Sequence, residues 1–289
     1  MRDYQYDINS LKKHGRSFYW ASFFLPRKNK QIASELYSIC RYFDDLADTS
    51  SENLTEEIKT EYQKIVSNQS NEINKFFTKN NIKIAILGDL VNGLIKDQVE
   101  VRIDTETELI EYAYEVAGTV GLMMLPIILT DNPDARKHAI DLGIGMQLTN
   151  IARDIYEDAK MNRIYLPKNW IGDISTENLI NREKIDLLKV CRVIEKLIQL
   201  SDIFYQNGFS GLKYIPFKTR LAIFISAQVY KGIGEKIKKN QYKYDLKRTY
   251  VNKFEKLWIT IASIPRFFFI RYIYKNYIPI RNIFKNENL

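Results

Sequence analysis

Cysteine, proline and glycine are all scarce in this 289-residue chain. Its two cysteines, Cys40 and Cys191, stand far apart and share no metal-binding or redox spacing. Thiols so placed read as reduced cysteines of a cytoplasmic protein, with Cys40 a small core residue. Seven prolines and twelve glycines are too few to punctuate many short strands, which favours long helices. No apolar–polar alternation runs long enough to argue for a sheet. Long apolar runs are missing too: no stretch reaches the ~18 uninterrupted apolar residues of a membrane-spanning helix. The nearest, Ala117 to Thr130, is shorter, carries Pro126 and reads as a buried core helix. The opening MRDYQYDINS has no apolar h-region, so no secretory signal is expected. It is also too acidic, and too short before the first motif, for a transit peptide. No fixed-period repeat or composition shift marks a boundary, so residues 1–289 read as one domain.

What the chain does contain is material for a core: 45% apolar residues, 13% of all residues being aromatic. Net charge is +8, and much of the excess follows Lys231 in a segment rich in Lys, Arg, Tyr, Phe and Ile. Such a segment fits nucleic acid, anionic lipid or an anionic substrate. No nucleic-acid motif accompanies it, so nucleic acid is not expected. Helical periodicity runs through Gln31 to Asp48, Leu109 to Leu125, Ile140 to Tyr156, Ile185 to Tyr205 and Thr219 to Ile237. Asn132-Pro133-Asp134 reads as a helix start, and Asn162 to Ser175 as a loop. The predicted fold class is all-α, a helical bundle around a central cavity.

Two acidic clusters lie inside this helix-forming sequence: Asp44-Asp45-Leu46-Ala47-Asp48, and Asn150-Ile151-Ala152-Arg153-Asp154-Ile155-Tyr156-Glu157-Asp158. Carboxylates in apolar helices are costly unless something binds them. Four-residue spacing places Asp44 and Asp48 on one helical face, and Asn150, Asp154 and Asp158 along another. Asp45 and Glu157 point off those faces and read as outer residues. Oxygen ligands facing each other across a cavity suit Mg²⁺, with phosphate oxygens completing the shell. Arg41, Arg153 and Arg163 accompany the clusters. The plainer reading of Arg41 and Arg153 is an ion pair that only neutralises the acids. The functional reading is diphosphate recognition. Together the parts suit ionisation of an allylic diphosphate, with an aromatic-lined hollow keeping the cation from water.

The surrounding residues carry a resemblance. They are His14-Gly15-Arg16-Ser17-Phe18, Tyr37 to Asp48, Tyr112 to Met124, and Gln147 to Asp158 with Arg163-Ile164-Tyr165-Leu166-Pro167. Over Leu11 to Trp258, in matching order, the chain resembles the squalene/phytoene synthase family of head-to-head prenyl synthases. The resemblance implies an isoprenoid-synthase fold around a deep central cavity. It implies Mg²⁺ (Mn²⁺ as a substitute) on Asp44, Asp48, Asn150, Asp154 and Asp158. Diphosphate would lie on Arg41, Arg153 and Arg163, with His14, Ser17, Phe18 and Gln147 lining that part of the site. Tyr112 matches a tyrosine linked to proton removal. Gln147 to Ile155 and Ala227-Gln228-Val229-Tyr230 look most like bacterial phytoene-forming members. The implied reaction joins two geranylgeranyl diphosphates through prephytoene diphosphate to phytoene, in carotenoid biosynthesis, without NADPH. No glycine-rich dinucleotide fingerprint is present, although that decides little within the family.

Alternatives stay open. One is a squalene, dehydrosqualene or hydroxysqualene synthase acting on farnesyl diphosphate. Another, of a different class, is a non-catalytic assembly or scaffold relative; such relatives lose the acids, and all five ligand candidates are present here. Where many relatives have glycine before the arginine matching Arg163, this chain has Asn162, which also tolerates left-handed turn geometry. The segment Asn92 to Gln98 matches only in part, leaving Asp97 without an assigned role. The unmatched tail after Trp258 (259–289 with its basic and aromatic residues) is expected to contact a membrane surface peripherally, the plainer reading being core packing or a partner interface. Nothing in the sequence fixes the oligomeric state.

Overall fold

The computed structural model describes residues 9–48, 54–130, 132–182, 187–243 and 248–279. Helices dominate. Short α1 (Ser10–His14) and α2 (Arg16–Ser22) lead into the long α3 (Arg27–Asp48). There follow α4 (Thr55–Ser67), α5 (Glu72–Lys79) and α6 (Ala85–Lys96). A strand, β1 (Val101–Arg102), precedes α7 (Glu106–Ala113), a π-helical turn (Tyr114–Gly118) and α8 (Thr119–Ile127). Next come α9 (Ala135–Lys160), β2 (Arg163–Ile164), α10 (Lys168–Ile171) and α11 (Thr176–Asn181). The chain continues through α12 (Leu187–Ser210), a 3₁₀ turn (Gly211–Tyr214), α13 (Phe217–Lys239), α14 (Lys253–Phe268) and α15 (Ile270–Ile273).

Helix α9 is the axis, packed along α12 and crossed by α8 and α13. Its start after Asn132-Pro133-Asp134 follows the sequence signal. The crossing with α8 is a backbone contact. A Cβ on Gly121 would stand 2.2 Å from the Ala139 carbonyl oxygen, and one on Gly143 2.3 Å from that of Ala117. Only glycine lets these two backbones meet. Buried apolar residues form two clusters. One gathers Phe43, Phe77, Leu87, Met123 and Phe224, and the other Leu109, Ile144, Leu148, Ile194 and Leu197. Tyr114, Ile140 and Tyr230 pack against both.

Two expectations need correction. Leu109 to Leu125 is not one regular helix, because the π turn at Tyr114–Gly118 widens it. That turn brings Val116 and Ala117 to the cavity wall, a placement typical of π-bulges at functional sites. And the chain is not wholly free of strand: β1 and β2 pair in parallel, Val101 with Arg163 and Arg102 with Ile164. Two residues per strand are too few for alternation to show in sequence.

Candidate active site

A cavity of about 420 Å³ runs through the bundle. Its walls are mostly apolar, drawn from α2, α3, α6, the π turn, α8, α9 and α13. Polar side chains collect at one end: Arg41 and Asp44 from α3, Asp97 after α6, Tyr112 from α7, and Gln147 and Asn150 from α9. The two sequence-predicted banks therefore reach one hollow. Phe18, Tyr37 and Tyr230 line it nearby, Phe18 tilted 33° against Tyr230 with centroids 5.0 Å apart.

The α3 bank is a regular helix surface. Arg41 Nη1 donates to Asp44 Oδ2 at 2.6 Å, and its other terminal nitrogen pairs with Asp45. These are the i,i+3 and i,i+4 neighbours that helical geometry supplies. Asp45 thus acts on Arg41. The Asp48 side chain lies outside the described residues. Cys40, one turn before Asp44, is a free thiol pushed up to about 12 by burial and then by the Asp44 charge, so it stays protonated.

The α9 bank is built differently. Asp154 has φ −107° and ψ 15°, which interrupts the helix, so the ideal i, i+4, i+8 spiral is broken at its middle residue. Arg153 forks onto Asp154, Nε to Oδ1 at 2.6 Å and Nη2 to Oδ2 at 2.5 Å. Arg248 forks onto the same carboxylate at 2.8 and 2.7 Å. Asp158 is pushed up to about 8 by burial first, then by the Asp154 and Asp97 charges, with Arg163 and Arg153 opposing. Asn150 keeps a buried Oδ1 with no hydrogen-bond partner, while its Nδ2 donates to Gln147 at 3.2 Å. Glu157 Oε2 is likewise buried and unpartnered, so Glu157 is not a plain solvent residue.

Asp97 organises the third side. Tyr112 donates to its Oδ2 at 2.9 Å and Tyr165 to its Oδ1 at 2.8 Å, the two rings stacked at 4.7 Å. Burial, then the Asp97 charge, holds the Tyr112 phenol far above its ordinary range. Arg163 Nη2 donates to the Asp97 carbonyl at 3.2 Å. Asn162 before it does adopt the left-handed conformation, φ 58°, as the sequence allowed.

Of the predicted residues, Asp44, Arg41, Phe18, Tyr112, Gln147 and Asn150 line the cavity. Arg153, Asp154, Asp158 and Arg163 do not line it; they gather around Asp158, close enough to Asp97 for their charges to act on one another. His14 and Ser17 do not line it. His14 ends the five-residue α1, past the turn that Ser10 and Leu11 bury, and faces solvent; Ser17 is half-buried. Sequence reasoning missed Arg248, a single arginine outside any periodic segment, and left Asp97 unassigned.

Among the described residues, no three His, Cys, Asp or Glu side chains gather closely enough to hold a metal by themselves. The donor set still fits a hard cation. It is all oxygen, it includes an unsatisfied buried amide oxygen, and it includes a carboxyl, Asp158, pushed up by burial first and then by the neighbouring Asp154 and Asp97 charges, which a cation would offset. Phosphate oxygens would have to complete such a shell.

The model of the squalene/phytoene synthase family matches residues 11–255. The chain is 30% identical over 269 residues to a 4,4'-diapophytoene synthase of Staphylococcus haemolyticus, covering 88% of this chain and 93% of that one. It is 31% identical over 242 residues to a 15-cis-phytoene synthase of Enterobacter agglomerans, covering 77% and 81%. The crystal structure of a dehydrosqualene synthase in complex with ligand superposes with a TM-score of 0.78 at 28% identity, covering 89% of this chain and 94% of that chain. A squalene synthase from Alicyclobacillus acidocaldarius, 19% identical, shares the fold with a TM-score of 0.72 over 82% and 93%.

Proposed function

Since the chain belongs to the squalene/phytoene synthase family, we propose that it joins two geranylgeranyl diphosphates head to head to make phytoene. One observation carries the reading: oxygen-bearing side chains of α3 and α9 border one apolar cavity, with Arg41 in its wall and Arg153 and Arg248 on Asp154, one turn beyond the lining Asn150 on α9.

Cavity length supports the C20 substrate. Asn150 and Ala135 both line the cavity, fifteen positions apart on α9, which is about 22 Å along a helix axis. An extended chain advances roughly 1.2 Å per bond, so a geranylgeranyl main chain spans about 18 Å and a farnesyl one about 13 Å. The end away from the acids is walled by small residues, among them Ala135, Ala139, Gly208 and Gly211. Farnesyl diphosphate is the second reading, favoured by the similarity to the 4,4'-diapophytoene synthase.

In the proposed reaction, Arg41, Arg153, Arg163 and Arg248 bind the diphosphate and take up the charge that develops as it departs. Mg²⁺ (or Mn²⁺), held by Asp44, Asp48, Asn150, Asp154 and Asp158, would supply further neutralisation of the diphosphate oxygens. The aliphatic walls exclude water from the allylic cation. The rings of Phe18, Tyr37 and Tyr230 offer it their faces. Tyr112 is too firmly protonated to act as a base alone. It can accept a substrate proton only while passing its own to Asp97, 2.9 Å away.

The test is to incubate purified protein and Mg²⁺ with geranylgeranyl or farnesyl diphosphate, with and without NADPH, and to identify the hydrocarbon. A C40 product formed without NADPH is expected. A C30 product only would replace the first reading by the second.

A further inference from the structure

Helix α14 carries its apolar stripe outward. Phe254, Leu257, Trp258, Ile261, Ile264 and Phe268 recur at helical spacing and are all exposed, Phe254 at 85% and Trp258 at 71%. The inward side holds Lys256, Thr260 and Ser263 beside Phe267. The buried Lys256 ammonium donates to the Arg16 carbonyl at 3.0 Å, and Thr260 accepts from the Trp20 indole at 3.0 Å. A reciprocal capping box fixes the start of the helix: Glu255 N–H donates to Asn252 Oδ1 at 2.9 Å and Asn252 N–H to Glu255 Oε2 at 2.7 Å. The orientation is therefore built in and is not the fraying of a loose end. The helix is docked through Lys256, Thr260 and Ser263 together with Ile259 and Phe267, and its wider apolar stripe is left as an exposed patch.

Charge identifies the cover. Residues 253–279 carry five Lys or Arg against a single acid, Glu255, and that acid is paired with Lys236 at 2.8 Å. Lys253, Arg266 and Lys218 stand exposed around the patch. Aromatic rings ringed by cations fit the headgroup zone of a bilayer, rings at the interface and cations on the phosphates. A second copy placed face to face would set like charge against like charge. The described helices include none long and apolar enough to cross the membrane, so the contact is one of lying on it.

The patch also leads inward. Phe267 meets Phe217 edge-on, with centroids 5.3 Å apart. Phe217 walls a surface groove with Phe24, Leu25, Pro26 and Leu221. Leu25 lines the central cavity as well. One side chain thus stands between the hollow and a groove beside the aromatic stripe.

We propose that the outward stripe of α14 seats the protein on an anionic lipid bilayer, and that the Leu25 wall is the passage by which the apolar product leaves the cavity for that bilayer. The passage rests on the prenyl-synthase reading; the seating does not. Co-sedimentation of the full chain with phosphatidylcholine–phosphatidylglycerol vesicles tests the seating without turnover. Trp258→Glu combined with Phe268→Glu is expected to cut the bound fraction at least about tenfold, and the milder Phe254→Ala with Trp258→Ala to weaken it with an unchanged CD spectrum. Four results would overturn the seating: no binding by the wild type, unchanged binding by both variants, a wild-type dimer that the glutamates turn into a monomer, or binding gained only once residues 280–289 are removed. For the passage, Phe217→Asp should leave single-turnover product formation as it is and slow steady-state turnover several-fold with vesicles present. Equal slowing of both, or of neither, rejects the passage. If no hydrocarbon forms with any diphosphate, the passage falls with the prenyl-synthase reading, and sedimentation still decides the seating.

Discussion

The two acidic banks share a chemistry and differ in how the fold holds it. On α3, Asp44 and Asp45 stand half in solvent on an unbroken helix, paired with an arginine of the same helix. On α9, Asp154 sits at a break in the helix, 13% exposed, gripped by Arg153 beside it and by Arg248 from ninety-four residues further on. The first arrangement is a local, solvent-screened one, whose ion pairs contribute little stability. In the second, Asp154 and Arg153 are largely buried, and removing Asp154 strands Arg153 without its counter-charge. So the α3 acids can be exchanged at small cost to the fold, while the α9 acids are bound up with it.

The largest expected effect tests that contrast directly. Asp154→Asn and Asp44→Asn should each lower turnover by about two orders of magnitude or more, since each removes a charge from the proposed diphosphate end. Their stabilities should part company. Asp154→Asn strands Arg153 and should cost up to about 3 kcal/mol, whereas Asp44→Asn should cost less than about 1 kcal/mol. Urea melts followed by far-UV CD, run beside the kinetics, measure both. Equal destabilisation would erase the distinction between the banks.

Next in size is Arg248→Ala. Arg248 is 57% exposed, and Arg153 still grips Asp154 without it, so about a tenfold loss in kcat/KM is expected with little change in the melt. Arg248→Lys should recover only part of that loss, because a lysine cannot fork onto a carboxylate or a diphosphate. Full activity in the alanine variant would reduce Arg248 to a surface ion pair.

The contrast between the banks also marks what the sequence could show. Asp44 and Asn150 were legible because helix periodicity fixes which residues share a face, and Asn162 because few residues besides glycine accept positive φ. The break at Asp154 was not legible, because no proline, glycine or other local signal marks it. Arg248 has no local pattern. Asp97 is made important by Tyr112 and Tyr165, two residues that only the tertiary fold brings to it. The basic aromatic tail was readable as composition, but its inverted orientation on α14 depends on Trp20 and Arg16 at the other end of the chain.

A smaller effect is expected beside the α9 bank at Asn162, whose left-handed backbone turns Arg163 toward Asp97 and whose carbonyl accepts from Arg102 at 3.1 Å. Asn162→Gly should leave the thermal midpoint and activity close to wild type. Asn162→Val should cost about 1–2 kcal/mol, since a β-branched side chain cannot rest at φ 58° without strain. A valine variant as stable as the glycine one would mean that the turn relaxes.

The least effect on activity should come from another acid of α9, Asp141, which shares the helix with the acidic bank but is not paired to an arginine. Burial pushes its carboxyl up to about 7, with hydrogen bonds from Tyr277 and Asn207 and the Lys137 charge opposing. His138, on the same helix, is shifted the other way, below 6.5, chiefly by burial. A carboxyl whose folded value lies above its unfolded 3.8 keeps its proton in the native state while the unfolded chain has already lost it. Its contribution to stability is therefore full at pH below about 4 and falls as pH rises to about 7. The His138 shift gives the opposite slope, so the wild-type curve alone mixes the two. The difference between wild type and Asp141→Asn isolates the carboxyl. The asparagine variant should gain stability relative to wild type steadily from about pH 4 to about pH 7, and the gain should level off above that. Thermal melts across the range measure it, with turnover unchanged. A difference that stays flat with pH would mean that Asp141 is as well paired as the acids held by arginine.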